Sequence, residues 1–176
     1  MKSVFAALAF AGAFGLWALP VAADSTSTTV FQHKHWQVEY VQWDDGTAAC
    51  LGEVSAINES FSIWVYPDAS VRIQFYSKAW EFGDASDTAN LEVQIDRRRK
   101  WTLTDAELYK NSVLFNLPDS DEGVKFLVEI AAGTRLYLRS EDGSPVQDYS
   151  LAGSRASMSA LIECGDALKT PGNPFK

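Results

Sequence analysis

Two cysteines, two histidines and two methionines are all that the 176 residues contain of those types, and each scarcity removes a class of chemistry. His33 and His35, on either side of Lys34, are the whole histidine content. A zinc site needs three or four ligands at fixed geometry, so this pair reads as a solvated approach to a strand, and no metal is implied. No serine stands in a G-x-S-x-G setting and neither histidine has a recognisable partner segment, which argues against histidine-dependent hydrolysis. No catalytic residue is assigned and no cofactor is implied. Basic residues are also in deficit. Lys2 is the one charged residue among the first 23, so the remainder holds 14 bases against 23 acids, a balance of −9. Such a chain repels a nucleic-acid backbone, and nucleic acid is not expected as a partner. After Ala23 no apolar run approaches the ~20 residues that cross a bilayer, so the mature chain is expected to have no transmembrane segment.

What is present begins with an address. Lys2, the apolar run Val4 to Leu19 and the small residues of Pro20-Val21-Ala22-Ala23 have the order of a signal peptide over 1–23. Cleavage near Ala23 predicts a periplasmic or secreted protein. An oxidising compartment allows Cys50 and Cys164 to pair, and an even count with none left over fits a structural disulfide. A redox pair would have close C-x-x-C spacing, which these two lack.

Residues 24–33 are rich in serine and threonine and read as an extended or mobile arm outside the core. A single β-rich domain is expected over 34–168, followed by an irregular tail over 169–176 that holds two prolines. Within the domain, apolar residues alternate at Trp36, Val38 and Tyr40, and again at Phe61, Ile63 and Val65. They alternate once more at Val71, Ile73 and Phe75, at Leu91, Val93 and Ile95, and at Leu136 and Leu138. Asp44-Asp45-Gly46, Pro67-Asp68 and Asp142-Gly143-Ser144-Pro145 supply turns between them. Two helices interrupt this pattern. Asp119 and Glu122 have capping-box spacing before an apolar face of Val124, Leu127, Val128 and Ala131, with Gly133 as the stop and Gly123 as a weak point. Gly153-Ser154 offers the N-cap of a second helix, with Ala156, Ala160, Leu161 and Cys164 on one face and an end at Gly165. The expected fold is mainly β: an antiparallel β-sandwich or partly open barrel with two short helices.

The strand Val93-Gln94-Ile95-Asp96, the step from helix to strand at Gly133-Thr134-Arg135-Leu136, and Tyr149 to Ser154 before a helix carrying Cys164 resemble the invasion-associated locus B family. The strand of Trp36, Gln37 and Val38 leading into Cys50 is similar to the same family's start. The resemblance implies an exported bacterial β-domain, associated by name with host-cell invasion in some members. It brings no catalytic residues. The chain departs from the family in having fewer cysteines and in placing Arg97 where members commonly have glycine.

Two segments are candidate binding sites. Arg97, Arg98, Arg99 and Lys100, followed by Trp101, concentrate positive charge beside an indole at a hairpin tip on an acidic protein. An anionic glycolipid, or an envelope or host protein with an acidic loop, would suit them; the alternative is a solvated tip that protects a sheet edge. Trp64 and Tyr66 fall on the strand face opposite Phe61, Ile63 and Val65, and with Tyr76 and Trp80 they could form an aromatic surface. The alternative there is a second core layer. Asp44, Asp45, Asp84, Asp87, Asp119, Asp121 and Glu122 leave a carboxylate-dependent hydrolase as an alternative, although most sit in turns and caps. The run Asp119 to Gly123 lacks the spacing of a calcium loop. The leading expectation is a non-catalytic binding protein of the bacterial envelope; an accessory or inhibitor subunit of an exported complex is a further alternative.

Overall fold

A computed structural model describes residues 24–84 and 87–169. The expected signal peptide, and the tail from residue 170 onward, lie outside them. Ten strands follow one another as β1 (Ser25–His33), β2 (Trp36–Trp43), β3 (Ala48–Ala56), β4 (Glu59–Val65), β5 (Val71–Ser77), β6 (Asp87–Ile95), β7 (Lys100–Tyr109), β8 (Ser112–Leu117), β9 (Arg135–Ser140) and β10 (Pro145–Ser150). Helix α1 (Asp121–Ala132) lies between β8 and β9, and α2 (Ser154–Leu168) follows β10. All ten strands belong to one antiparallel sheet in the order β1-β2-β3-β4-β5-β8-β7-β6-β9-β10. The sheet is not closed into a barrel.

Strand alternation decides which face is the core. Val38, Phe61, Ile63, Ile73, Phe75, Val93 and Ile95 are fully buried, as their period of two requires. The sheet folds over so that its two halves share these residues. Phe61 and Phe75 stack at 5.2 Å, and each lies about 6 Å from the ring of Tyr149 on β10. The indole N–H of Trp36 on β2 donates to the Ser150 carbonyl at 3.2 Å, which joins the second strand to the last. Burial pushes the Tyr149 hydroxyl far above its ordinary value, and Gln147 accepts its proton in a hydrogen bond.

The N-terminal arm differs from its expectation. Residues 25–33 form β1, paired with β2 along its length and joined to it by the two-residue turn Lys34-His35, with Lys34 at φ 55°. Its two apolar residues, Val30 and Phe31, are adjacent, so the strand has no apolar alternation to announce it. What forms it is an open edge of β2 and a turn short enough to return the chain at once.

Helix α1 turns its expected face inward only in part: Leu127 and Ala131 are partly buried against the core, and Val124 and Val128 are not. Its buried residues are Gly123, Phe126 and Ile130, while Val124 and Val128 are each 59% exposed. Two apolar stripes run along this helix, and the one with the larger side chains enters the core, where Phe126 meets Trp101 edge-on at 5.3 Å. Its N-cap is Ser120, whose hydroxyl accepts from the Gly123 amide at 3.5 Å, in place of an Asp119–Glu122 box. Gly123 is required for close approach, because a β-carbon there would collide with the Pro118 carbonyl.

Helix α2 covers the β1–β4 half of the sheet. It runs past Gly165 to Leu168, and its N-cap is Gly153, in the left-handed region at φ 108°. Ser154 does not cap; its hydroxyl donates to the Ile130 carbonyl of α1 at 2.9 Å and ties the two helices together. Cys164 is bonded to Cys50 of β3, with 6.0 Å between the α-carbons and 114 positions between them in sequence. Closing a loop of that length stabilises by about 4–5 kcal/mol in the chain-entropy account. Beside the bond, Gly52 faces Leu161 and Gly165 faces Val65, whose Cγ1 would lie 2.7 Å from an added β-carbon.

Gly165→Ala is therefore expected to lower unfolding free energy by about 1–3 kcal/mol through overpacking against Val65, measured by urea denaturation of the oxidised protein. An unchanged midpoint would show that α2 is not held at this distance.

Candidate functional site

Three hairpins are closed by one local design. In Trp43–Thr47, Tyr66–Ser70 and Ser140–Ser144 the first residue's N–H donates to the last residue's carbonyl at 3.0–3.1 Å, and its own carbonyl accepts from the fourth residue's N–H at 2.9 Å. The fourth residue is left-handed in each: Gly46, Ala69 and Gly143 have φ of 84°, 67° and 84°. The third residue is an aspartate whose Oδ1 accepts the backbone N–H of the closing Ser or Thr at 2.8–2.9 Å. The Thr47 and Ser70 hydroxyls, each donating to the same Oδ1 at 2.6 Å, and then these backbone amides hold the Asp45 and Asp68 carboxyls below the ordinary carboxylate value. Asp142, bonded by the Ser140 hydroxyl and the Ser144 amide, is lowered to about 2.

The first two of these turns frame a groove of about 1190 Å³. Because both turns have the same geometry, Trp43 and Tyr66 occupy matching first positions and both face the groove. Phe31 on β1 and Tyr40 on β2 form further parts of its wall, and the C-terminal half of α2 closes the other side with Ala160, Cys164 and Leu168. The groove thus sits beside the disulfide, and the bond fixes the distance between its two walls. Among the described residues its charged lining is Asp45 and Glu163, with no Lys, Arg or His. Burial pushes the Tyr66 hydroxyl above its usual value, an effect that the Arg72 guanidinium opposes.

The expected aromatic surface is placed in part at this site. Trp64 and Tyr66 do lie opposite Phe61, Ile63 and Val65, and Trp64 is half-buried, tilted against Trp43 at 6.1 Å. Its indole N–H donates to Gln74 at 2.7 Å, and Gln74 in turn donates to the Ser112 hydroxyl at 2.8 Å. Tyr76 pairs with Ser60, away from Trp64, and Trp80 packs on Phe82 at 5.6 Å, so neither joins the cluster. Arg72, opposite Trp64, is ion-paired with Glu107.

The basic run is dispersed. Arg99 pairs with Glu122 at 3.0 Å and lies over the Trp101 ring at 3.9 Å, and Lys100 pairs with Glu92 at 2.6 Å. Trp101 itself is 9% exposed and donates to Glu129, so it belongs to the core and is not a surface for a ligand ring. Arg97 and Arg98 stand at the tip between β6 and β7. His33 and His35 are exposed, and among the described residues no group of three or more His, Cys, Asp or Glu is placed to hold a metal. Among those residues no helix is long and apolar enough to cross a membrane.

Sequence reading missed the groove itself, with Phe31, Tyr40, Trp43 and Glu163. The available signal was the shared spacing of an aromatic residue two positions before the aspartate in Trp43-Asp44-Asp45 and Tyr66-Pro67-Asp68. The class that these features define is an open antiparallel β-domain with a helix stapled across one half and an aromatic groove beside the staple. No family model, curated protein or solved structure matches the chain.

Two outcomes follow from the turns. Ala69 carries a β-carbon in a left-handed position, so Ala69→Gly should raise stability by about 1 kcal/mol, read from the urea midpoint. The three carboxyls have folded values below the ordinary 3.8, so their contribution is complete above that pH and is lost as pH falls toward about 2. The midpoint should accordingly decline through this window, and less steeply in Asp142→Asn; equal slopes would count against the turn bonds.

Proposed function

We propose that this protein is an exported, non-catalytic binding protein of the bacterial envelope, periplasmic or secreted, whose ligand enters the groove beside the Cys50–Cys164 bond. The observation that carries this reading is the convergence of Phe31, Tyr40, Trp43 and Tyr66 from three separate strands and turns onto one open cavity. Aromatic side chains supply large contact area at little conformational cost, and a cavity of several hundred cubic ångströms or more is the usual scale of a binding site. The disulfide supports the same reading, because a covalent link between β3 and α2 keeps the groove's walls at a fixed separation outside the cell's reducing interior. The role in host-cell invasion implied by the family resemblance fits a binding domain of this kind.

The basic run is the weaker of the two sites, since two of its four cations already have acidic partners and its indole is in the core. Envelope fractions passed over the immobilised oxidised protein should leave bound material that Trp43→Ala releases by about tenfold or more, a loss of at least ~1.4 kcal/mol. Neutralising Arg97, Arg98, Arg99 and Lys100 together should leave retention within about twofold. The reverse pattern would move the site to the hairpin tip, and retention insensitive to both would remove the groove reading. Thermal unfolding of each variant establishes that its fold is kept.

A further inference from the structure

Among the described residues the edge of the sheet next to the groove is open. The Asp44 amide donates to the Asp24 carbonyl at 3.2 Å, so in this antiparallel pair the hydrogen-bonded positions are 24, 26 and 28. Ser25, Ser27 and Thr29 consequently direct their N–H and C=O groups away from β2. Among the described residues no strand pairs with that side of β1. The opposite edge is protected: β10 begins at Pro145, carries an irregularity between Pro145 and Gln147, and its Ser150 carbonyl already accepts from Trp36. β1 has no proline, and from Ser25 to Gln32 it has no charged residue.

Taking the groove as the binding site, we propose that β1 receives an added antiparallel or parallel strand from a partner polypeptide. An extended segment would complete the hydrogen bonds of Ser25, Ser27 and Thr29. Its inward side chains would descend between β1 and α2 toward Phe31, Tyr40 and Ala160. Alternate apolar residues meet the groove, and cationic residues flank them, because the groove's charged lining among the described residues is Asp45 and Glu163. A second copy of this chain fits less well, since it would bring another Ser/Thr-rich edge and another strongly acidic domain to the same acidic rim.

The test uses the oxidised protein, expressed with its leader, and a synthetic peptide of threonine alternating with valine and leucine, flanked by lysines. A glutamate-flanked counterpart and a version N-methylated at alternate residues accompany it. Binding of the lysine peptide should slow hydrogen exchange at the Ser25, Ser27 and Thr29 amides about tenfold or more, with little change at the even positions that already face β2. Ser27→Pro removes one outward N–H without touching the β1–β2 ladder, and it should weaken binding about tenfold or more. N-methylation of the peptide should do the same with the protein unaltered, which covers a Ser27→Pro variant that fails to fold. Binding lost in Trp43→Ala but unaffected by Ser27→Pro and by N-methylation would overturn strand addition and leave the groove reading intact. Failure of the lysine peptide to bind at millimolar concentration, or equal binding of the glutamate peptide, would overturn the proposed partner. Protection of β1 that grows with protein concentration in the absence of peptide would assign the edge to a second copy and overturn it as well.

Discussion

The close approach of α2 to β3 and β4 is the contact on which the rest of the domain depends. A ten-stranded sheet that does not close leaves one half of its inner face to be covered by something else, and here the cover is a single helix. Leu161 lies over Gly52, Gly165 lies over Val65, and the Cys50–Cys164 bond sits between these two contacts. Each glycine removes a side chain where the helix would otherwise be held away. Without that approach the disulfide could not form, Leu161 would leave the core, and the groove would lose one wall.

The groove is a product of two independent regularities. The matched hairpin turns place Trp43 and Tyr66 at the same end of the sheet, and the staple places α2 opposite them. Neither regularity concerns the groove directly. The aspartates that close the turns are committed to backbone and hydroxyl donors, which accounts for Asp45 and Asp68 without invoking acid–base chemistry. Acidic residues abundant in sequence are thus largely absorbed by local structure, as turn and cap preferences anticipate.

Strands were legible in the sequence where one face is buried, because a period of two survives any detail of packing. That is why the faces of β4 and β5, the turns between strands and the pairing of the two cysteines could be read in advance. Helix α1 was misread in part because DEGVKFLVEIAA carries two apolar stripes, and only the tertiary partner Trp101 selects Phe126 and Ile130 over Val124 and Val128. β1 was invisible because its strand character comes from its neighbour and not from its own residues. Of the candidate sites, Trp64 and Tyr66 were placed on the correct face, but the groove needs Trp43, Tyr40 and α2 as well. Trp43 and Tyr40 are 23 and 26 positions from Tyr66 and Leu168 of α2 is 102 positions away, and only the sheet order, which is not written in any local pattern, brings them together.

The disulfide also has a direction in time. During synthesis Cys50 appears 114 residues before Cys164, and the chain holds no third cysteine that could satisfy it meanwhile. Cys50 therefore has no partner within the chain until α2 exists and has docked. The bond cannot form in a wrong connectivity within one chain, and any chain truncated before α2 stays marked by a reactive sulfur. In this domain the covalent link is a record that folding has reached α2, written once and legible to any thiol-reactive partner that the chain meets on the way.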